Sequence, residues 1–344
     1  MSEAIAPSIG FVEGRRRELD ALRHLAADGP ELLAGVWQER WGRVILAGIG
    51  ASHAALASPL AELRAAGIDA SRSDCSDLPR VSTRRPDVLI AVSQSGRSRE
   101  TADVVRRFAE ADVSTLAITN SETSPLRTAA DATVTLGGAA DSRVSTVGFV
   151  TTFTALGMLV DFATTGRVDA GWSTLAEVIE AAVFDAQKTI QEFAGRHLAS
   201  GGIDVVATNS QLTTAEAVAL LFREGPLIPS TAFGTRGYLH GPMDIAGGAV
   251  SHLVIGGGRE AQLAEQLLEQ TEAVLLLTDG SVSVPDRASL LTVPAGLTAS
   301  QRALVETCVL QELVAASSEV RGNPVDETVF TRQDTKIDAV GELG

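Results

Sequence analysis

The sequence predicts an α/β protein of two consecutive domains, each a doubly wound parallel sheet with helices on both faces in three αβα layers. Three observations point there. The chain has 344 residues, more than one ordinary core holds and suited to two domains of about 150 residues. Short aliphatic runs alternate with segments of helical periodicity, the signature of βαβ units. The same order then recurs: 161, 163 and 159 residues separate Val44 from Val205, Val88 from Ser251 and Thr115 from Val274. Offsets this similar imply an internal duplication with a period of roughly 160 residues.

Glu13–Trp41 carries Leu19, Leu22, Leu25, Leu32, Leu33 and Val36 at helical spacing and reads as a lead-in of helices. Strands follow at Val44–Ala47, Val88–Val92 and Thr115–Thr119, with helices at Ala54–Ala66 and Glu100–Ala111, a short helical segment at Pro125–Ala130 and a further strand at Ala132–Leu136. Val144–Val160 is the most apolar long stretch, but Ser145, Thr146, Thr151, Thr152 and Thr154 interrupt it, so it reads as a buried helix and not a membrane span. A helix over Leu175–Phe193 would join the halves. The second half repeats strands at Val205–Thr208, Ser251–Ile255 and Ala273–Thr278, with an apolar helix at Thr214–Phe222. The resulting division is 1–34 lead-in, 35–165 first domain, 166–200 linker helix, 201–320 second domain and 321–344 polar tail.

Composition narrows the function. A net charge of −15 repels nucleic acid and anionic membrane, so neither is expected as a partner. It leaves room for a small anion, because backbone amides supply local positive potential. Cys75 and Cys308 are far apart and form neither zinc spacing nor a disulfide framework. No histidine stands in metal-ligand spacing, so no metal is expected. Met1–Pro7 is polar and carries Glu3, without the basic and apolar regions of a signal peptide. A cytoplasmic location is the expectation.

Ser93-Gln94-Ser95-Gly96-Arg97-Ser98 lies between the strand Leu89–Val92 and the helix Glu100–Ala111. A loop at the carboxyl end of a parallel strand and the amino end of a helix is where open α/β sheets bind ligands. Free amides and the helix dipole favour an anion there. Three hydroxyls are more than one helix cap needs. No lysine follows in P-loop spacing, so a nucleoside triphosphate is not expected. Gly48-Ile49-Gly50-Ala51-Ser52 ends the first strand in the same way, Thr119-Asn120-Ser121-Glu122 ends the third, and Ser145-Thr146 opens the following helix. Taken alone, Ser145-Thr146 reads as an ordinary N-cap. The corresponding loop of the second half, Gly256-Gly257-Gly258-Arg259, does not repeat the hydroxyls. Either only the first half binds an anion or this loop serves another purpose.

Two further residues stand out. Glu224 closes the apolar helix before Gly225-Pro226, and His240 sits in Leu239-His240-Gly241-Pro242, 16 residues later. Alone, the first reads as a solvated helix-end charge and the second as a turn residue.

Together these segments resemble the SIS (sugar isomerase) family, in particular its members with two SIS domains in tandem, such as the isomerase half of the glucosamine-6-phosphate synthases. The resemblance runs through Gly50-Ala51-Ser52, Ser93–Ser98, Thr119-Asn120, Val144-Ser145-Thr146 and the Glu224/His240 spacing, over about residues 35–335. It implies two flavodoxin-like SIS domains. It implies phosphate contacts from Ser93, Gln94, Ser95 and Ser98, and sugar contacts from Gly50, Ala51, Ser52 and Ser145. Glu224 would move a proton between C1 and C2 through an enediol-type intermediate, and His240 would assist ring opening. In the family this histidine enters the site of the other subunit, so a homodimer with shared sites is implied. The partner is a small-molecule sugar phosphate, and enolisation needs neither a metal nor an organic cofactor.

The sequence departs from the family in two places. The tail lysine that opens the ring or captures a ketose as an imine falls in register on Gln333, and Lys336 is three residues further. Either the tail shifts to deliver Lys336 as a catalytic group, or no imine forms, since glutamine cannot make one. The acidic residue three places before the family histidine is Gly237 here. The sequence shows no N-terminal cysteine nucleophile, so glutamine is not expected as the nitrogen donor. The expectation is an isomerase or deaminase of an amino-sugar 6-phosphate. A deglycase releasing an amine from a fructosamine 6-phosphate, or a sensor that binds without turnover, are the alternatives.

Overall fold

The computed structural model describes residues 8–38, 41–78, 85–283, 285–327, 329–330 and 333–343. The segment Met1–Pro7 and parts of the tail therefore lie outside the described residues. The chain divides into two compact units, Met1–Ser173 with Thr328–Gly344, and Thr174–Glu327.

The first unit runs α1 (Phe11–Leu33), β1 (Arg43–Gly48), α2 (Ala51–Ala54), α3 (Ala57–Ala65), β2 (Asp69–Asp74), β3 (Val88–Val92), α4 (Arg99–Ala109), β4 (Ser114–Thr119), α5 (Pro125–Ala129), β5 (Ala132–Thr135) and α6 (Val147–Thr165). Its five strands pair in parallel in the order β2-β1-β3-β4-β5. Every residue of β3 is buried, as expected of a central strand covered on both faces. Leu89 and Ala91 meet Val104, Val105 and Phe108 of α4. By the two-residue alternation of a strand, Val88, Ile90 and Val92 face the opposite layer, where α3 packs on α6 and α6 packs along α1. Among the described residues α6 is the one helix long and apolar enough to cross a membrane, and 83% of its apolar window is buried in the fold. It is a core helix, apolar all round because protein surrounds it.

The second unit runs α7 (Leu175–His197), β6 (Gly202–Ala207), α8 (Leu212–Glu224), β7 (Ser230–Gly234), α9 (Thr235–Tyr238), β8 (Val250–Ile255), α10 (Gly258–Leu268), β9 (Val274–Thr278), β10 (Ser289–Thr292) and α11 (Ala299–Arg321). Its strands are also all parallel, in the order β7-β6-β8-β9-β10. The strand order is that of the first sheet. Here α7 packs along α11, as α1 packs along α6 in the first unit.

Several elements differ from the sequence reading. The lead-in is a single helix. The helix expected over Ala54–Ala66 is split into α2 and α3 by Ala55 and Leu56. The helix expected from Val144 begins at Val147 because Val144–Thr146 belong to its capping loop. Strands β2, β7 and β10 went unread. β2 and β7 carry few large apolar residues and so lack the apolar signal of a central strand, while β10 is only four residues long.

A buried polar network ties the second unit together. Arg302 on α11 donates to Glu306 (Nε to Oε1, 2.8 Å) and to Asp279 after β9 (2.7 Å), while Thr214 on α8 donates to Glu306 Oε2 (3.0 Å). Glu306 is fully buried, and burial outweighs Arg302 and lifts its carboxyl from 4.5 to about 7. A carboxyl with a raised folded pKa binds its proton more tightly in the native state, so its contribution falls as pH rises from about 4.5 to about 7. Glu306→Gln removes this titration. In urea denaturation across that window, the stability of the wild type relative to the variant should decline with a slope approaching about 1.4 kcal/mol per pH unit. Parallel pH profiles for the two proteins would contradict the assignment.

Candidate phosphosugar site

The first sheet reverses its direction of winding between β1 and β3. β1 leads through α2 and α3 to β2 on one side, while β3 leads through α4 to β4 on the other. The crevice at such a switch point is the ligand position of open parallel sheets. The loops that flank it are residues 49–50 after β1 and 93–98 after β3.

The second loop is fixed from several directions. Ser93 N–H donates to Ile118 O (3.1 Å), Asn120 N–H donates to Gln94 O (2.9 Å), and Leu126 N–H donates to Gly96 O (3.0 Å). Thr119 Oγ1 also donates to Gln94 O (3.3 Å). Gly96 has φ +64°, and a Cβ there would lie 2.2 Å from Ser124 Oγ. Only glycine fits both the left-handed backbone and the contact. Ser98 is the N-cap of α4, yet its hydroxyl makes no capping bond. Ser95 Oγ accepts from Arg97 N–H (3.3 Å). The loop thus presents serine hydroxyls and helix-end amides at one place, an uncharged cradle for an anion. Ser93 and Ser98 are buried.

Gly50, with φ +60°, turns the chain at the other loop, and Ala51 and Ser52 follow as the first residues of α2, half-buried. Ser145 donates its hydroxyl to Asp141 Oδ2 (2.7 Å), and Asp141 Oδ1 accepts from Thr146 N–H (3.0 Å) and Ser142 N–H (2.9 Å). This segment adjoins the cradle, since a Cβ on Gly148 would lie 2.6 Å from Gln94 Cγ and 2.3 Å from Asp141 Oδ2. Asp141 was not singled out from the sequence. It lies five residues before the N-cap Thr146 and bonds loop amides, so no capping pattern in the sequence marks it.

The tail returns to the same loop. Arg99 N–H donates to Thr335 O (3.3 Å) and Ile337 N–H donates to Arg97 O (2.9 Å), which sets Lys336 opposite Ser98 as an antiparallel pair. Lys336 Nζ donates to Ser95 Oγ (3.0 Å) and Ser98 Oγ (3.3 Å). Arg97 pairs with Asp338 and Arg99 with Asp334. Of the two tail positions left open by the sequence, Lys336 is the one at the cradle, and Gln333 is exposed.

The second unit holds Glu224 and His240 apart. Glu224 is the last residue of α8, which packs on β6, β7 and α11. His240 is exposed in the turn after α9, on the other face, where Tyr238, Leu239 and Met243 join the α10 cluster. Tyr238 holds that turn by donating to Asp204 Oδ2 (3.0 Å), so His252 Nδ1–H donates to the same phenol oxygen (2.9 Å). Burial pushes His252 down to about 4, which keeps it neutral near pH 7. The glycine loop after β8 is filled by a side chain from the first turn of α10. Glu260 Oε1 accepts from Thr235 Oγ1 (2.6 Å), and a Cβ on Gly256 would lie 2.7 Å from Glu260 Cγ. That loop carries a carboxylate where the first unit carries hydroxyls. Among the described residues no group of three or more His, Cys, Asp and Glu could hold a metal.

Gly96→Ala should cost at least about 1–2 kcal/mol in urea denaturation, from the left-handed backbone alone, and should abolish phosphate binding in calorimetry. Unchanged binding in this variant would show that the cradle geometry is not needed.

The SIS domain family model matches residues 69–166. No curated protein matches the sequence. Solved structures do match in fold. The C-terminal domain of glucosamine-fructose-6-phosphate aminotransferase from Francisella tularensis superposes with a TM-score of 0.77 at 18% identity, covering 92% of this chain and 98% of that one. Tagatose-6-phosphate ketose/aldose isomerase from Escherichia coli gives 0.75 at 16% identity, covering 97% and 100%. Glucosamine-6-phosphate deaminase from Thermotoga maritima gives 0.74 at 17%, covering 92% and 96%. Residues 69–166 therefore belong to an SIS domain, and the chain shares the two-domain fold of these structures.

Proposed function

We propose that the protein is an isomerase or deaminase of an amino-sugar 6-phosphate. The observation that carries this reading is the hydroxyl and amide cradle of Ser93, Gln94, Ser95 and Ser98 at the switch point between β1 and β3. It suits a phosphate monoester: it offers donors without bulk, and a switch-point crevice leaves the attached carbon chain room to extend. Gly50, Ala51, Ser52 and Ser145 border the same crevice and contact the sugar. The similar folds support the substrate class, since an isomerase and a deaminase among them are named for sugar 6-phosphates.

Chemistry requires a base for the proton that moves between C1 and C2, and a group that gives and takes a proton as the ring opens. Glu224 supplies the first and His240 the second. Proton transfer needs heavy atoms within about 3 Å of the reacting centre. Because α8 and the His240 turn lie on opposite faces of the second sheet, one copy of this pair cannot serve one sugar. The two groups act together when two copies of the chain each contribute one, which makes a homodimer the working unit.

Two outcomes follow. Glu224→Gln should lower turnover of the active sugar phosphate by 10²–10⁴-fold while leaving its affinity within a factor of about two; the screen runs glucosamine 6-phosphate, fructose 6-phosphate, galactosamine 6-phosphate and fructosamine 6-phosphates with ammonia or amine release as a second readout. Retained turnover would leave a binding protein. Mixing denatured Glu224→Gln and His240→Asn chains and refolding them should restore about a quarter of wild-type activity, because half the dimers carry one intact site. No restoration would mean that both groups come from one chain.

A further inference from the structure

We infer that Lys336 is the counter-cation of the bound phosphate and not an imine-forming lysine; this rests on the cradle reading proposed above. Main-chain bonds from Arg99 N–H to Thr335 O and from Ile337 N–H to Arg97 O clip residues 335–337 onto the cradle as a short antiparallel strand. Ile337 is buried beneath it, so the clip has an apolar anchor. The two salt bridges alternate with the lysine: Asp334 meets Arg99, Lys336 meets the serines, and Asp338 meets Arg97. The tail therefore covers the two guanidiniums of the loop with carboxylates and delivers an ammonium to its hydroxyls.

Lys336 Nζ is 3.0 Å from Ser95 Oγ and 3.3 Å from Ser98 Oγ. A phosphate oxygen accepting from those hydroxyls would also lie within reach of the ammonium, as a charge-assisted contact. The same position argues against an imine. In a sugar 6-phosphate the carbonyl carbon is at the far end of the carbon chain from the phosphate. An amine bonded to the phosphate-holding hydroxyls is at the wrong end to attack it. An imine would also need a neutral amine, whereas a phosphate dianion favours the charged form.

The contact also gives the cradle a preference. A neutral sugar or a singly charged carboxylate would recover less of the attraction than a dianion, and the attraction would weaken with salt.

The test is calorimetric titration of the full chain with inorganic phosphate and with fructose 6-phosphate. Lys336→Met should weaken both by tenfold or more and reduce the salt dependence of binding. Lys336→Arg, which keeps the charge but cannot form an imine, should remain within about threefold of wild type. Mass spectrometry after borohydride treatment with fructose 6-phosphate should find no adduct at Lys336. Wild-type affinity in Lys336→Met, or a borohydride-stable adduct at Lys336, would overturn the inference while leaving the cradle intact. Failure of the wild type to bind either phosphate would overturn both.

Discussion

The candidate site depends on one bend in the chain. Gly96 holds a left-handed backbone tight against Ser124, and the loop it turns brings the hydroxyls of Ser95 and Ser98 to one ammonium at the start of α4. The bend is possible because β3 is locked between β1 and β4 and because Ile118, Asn120 and Leu126 fasten the loop on its other side. The sheet supplies position, the glycine supplies direction and the helix supplies polarity. None of the three gives an anion site alone.

The two units show what the loop contributes beyond the fold. They share a strand order, and both have a loop and helix after the third strand. In the first unit that loop is rich in hydroxyls and meets an ammonium from the tail. In the second, three glycines make room for Glu260, whose carboxylate folds back and bonds Thr235. A carboxylate at that place repels an anion. The two units share a scaffold and differ in this loop. The second unit offers instead two surfaces, the end of α8 and the turn held by Tyr238, that present a carboxylate and an imidazole.

Much of this was legible in the sequence. Val88–Val92 announces a central strand because burial on both faces demands an unbroken aliphatic run. The serine loop reads as a candidate anion site because its hydroxyls exceed capping needs. Of the edge strands, β5 was legible but β2, β7 and β10 were not: Asp69–Asp74 has hardly an apolar residue, since a strand at the rim borrows its stability from pairing with β1. Asp141 and Glu260 were missed because their contacts depend on loop paths that spacing does not encode. The tail position could not be decided by register, because Gln333 and Lys336 differ only in where the antiparallel clip places them.

The candidate site stands or falls with a phosphate held by residues 93–98. A crystal structure of the protein with a bound sugar 6-phosphate decides it. The phosphorus is expected against Ser93, Ser95 and Ser98, beside Lys336 Nζ, with nothing bound at Gly256–Glu260. Phosphorus density at the glycine loop, or anywhere away from the β1–β3 crevice, would contradict it.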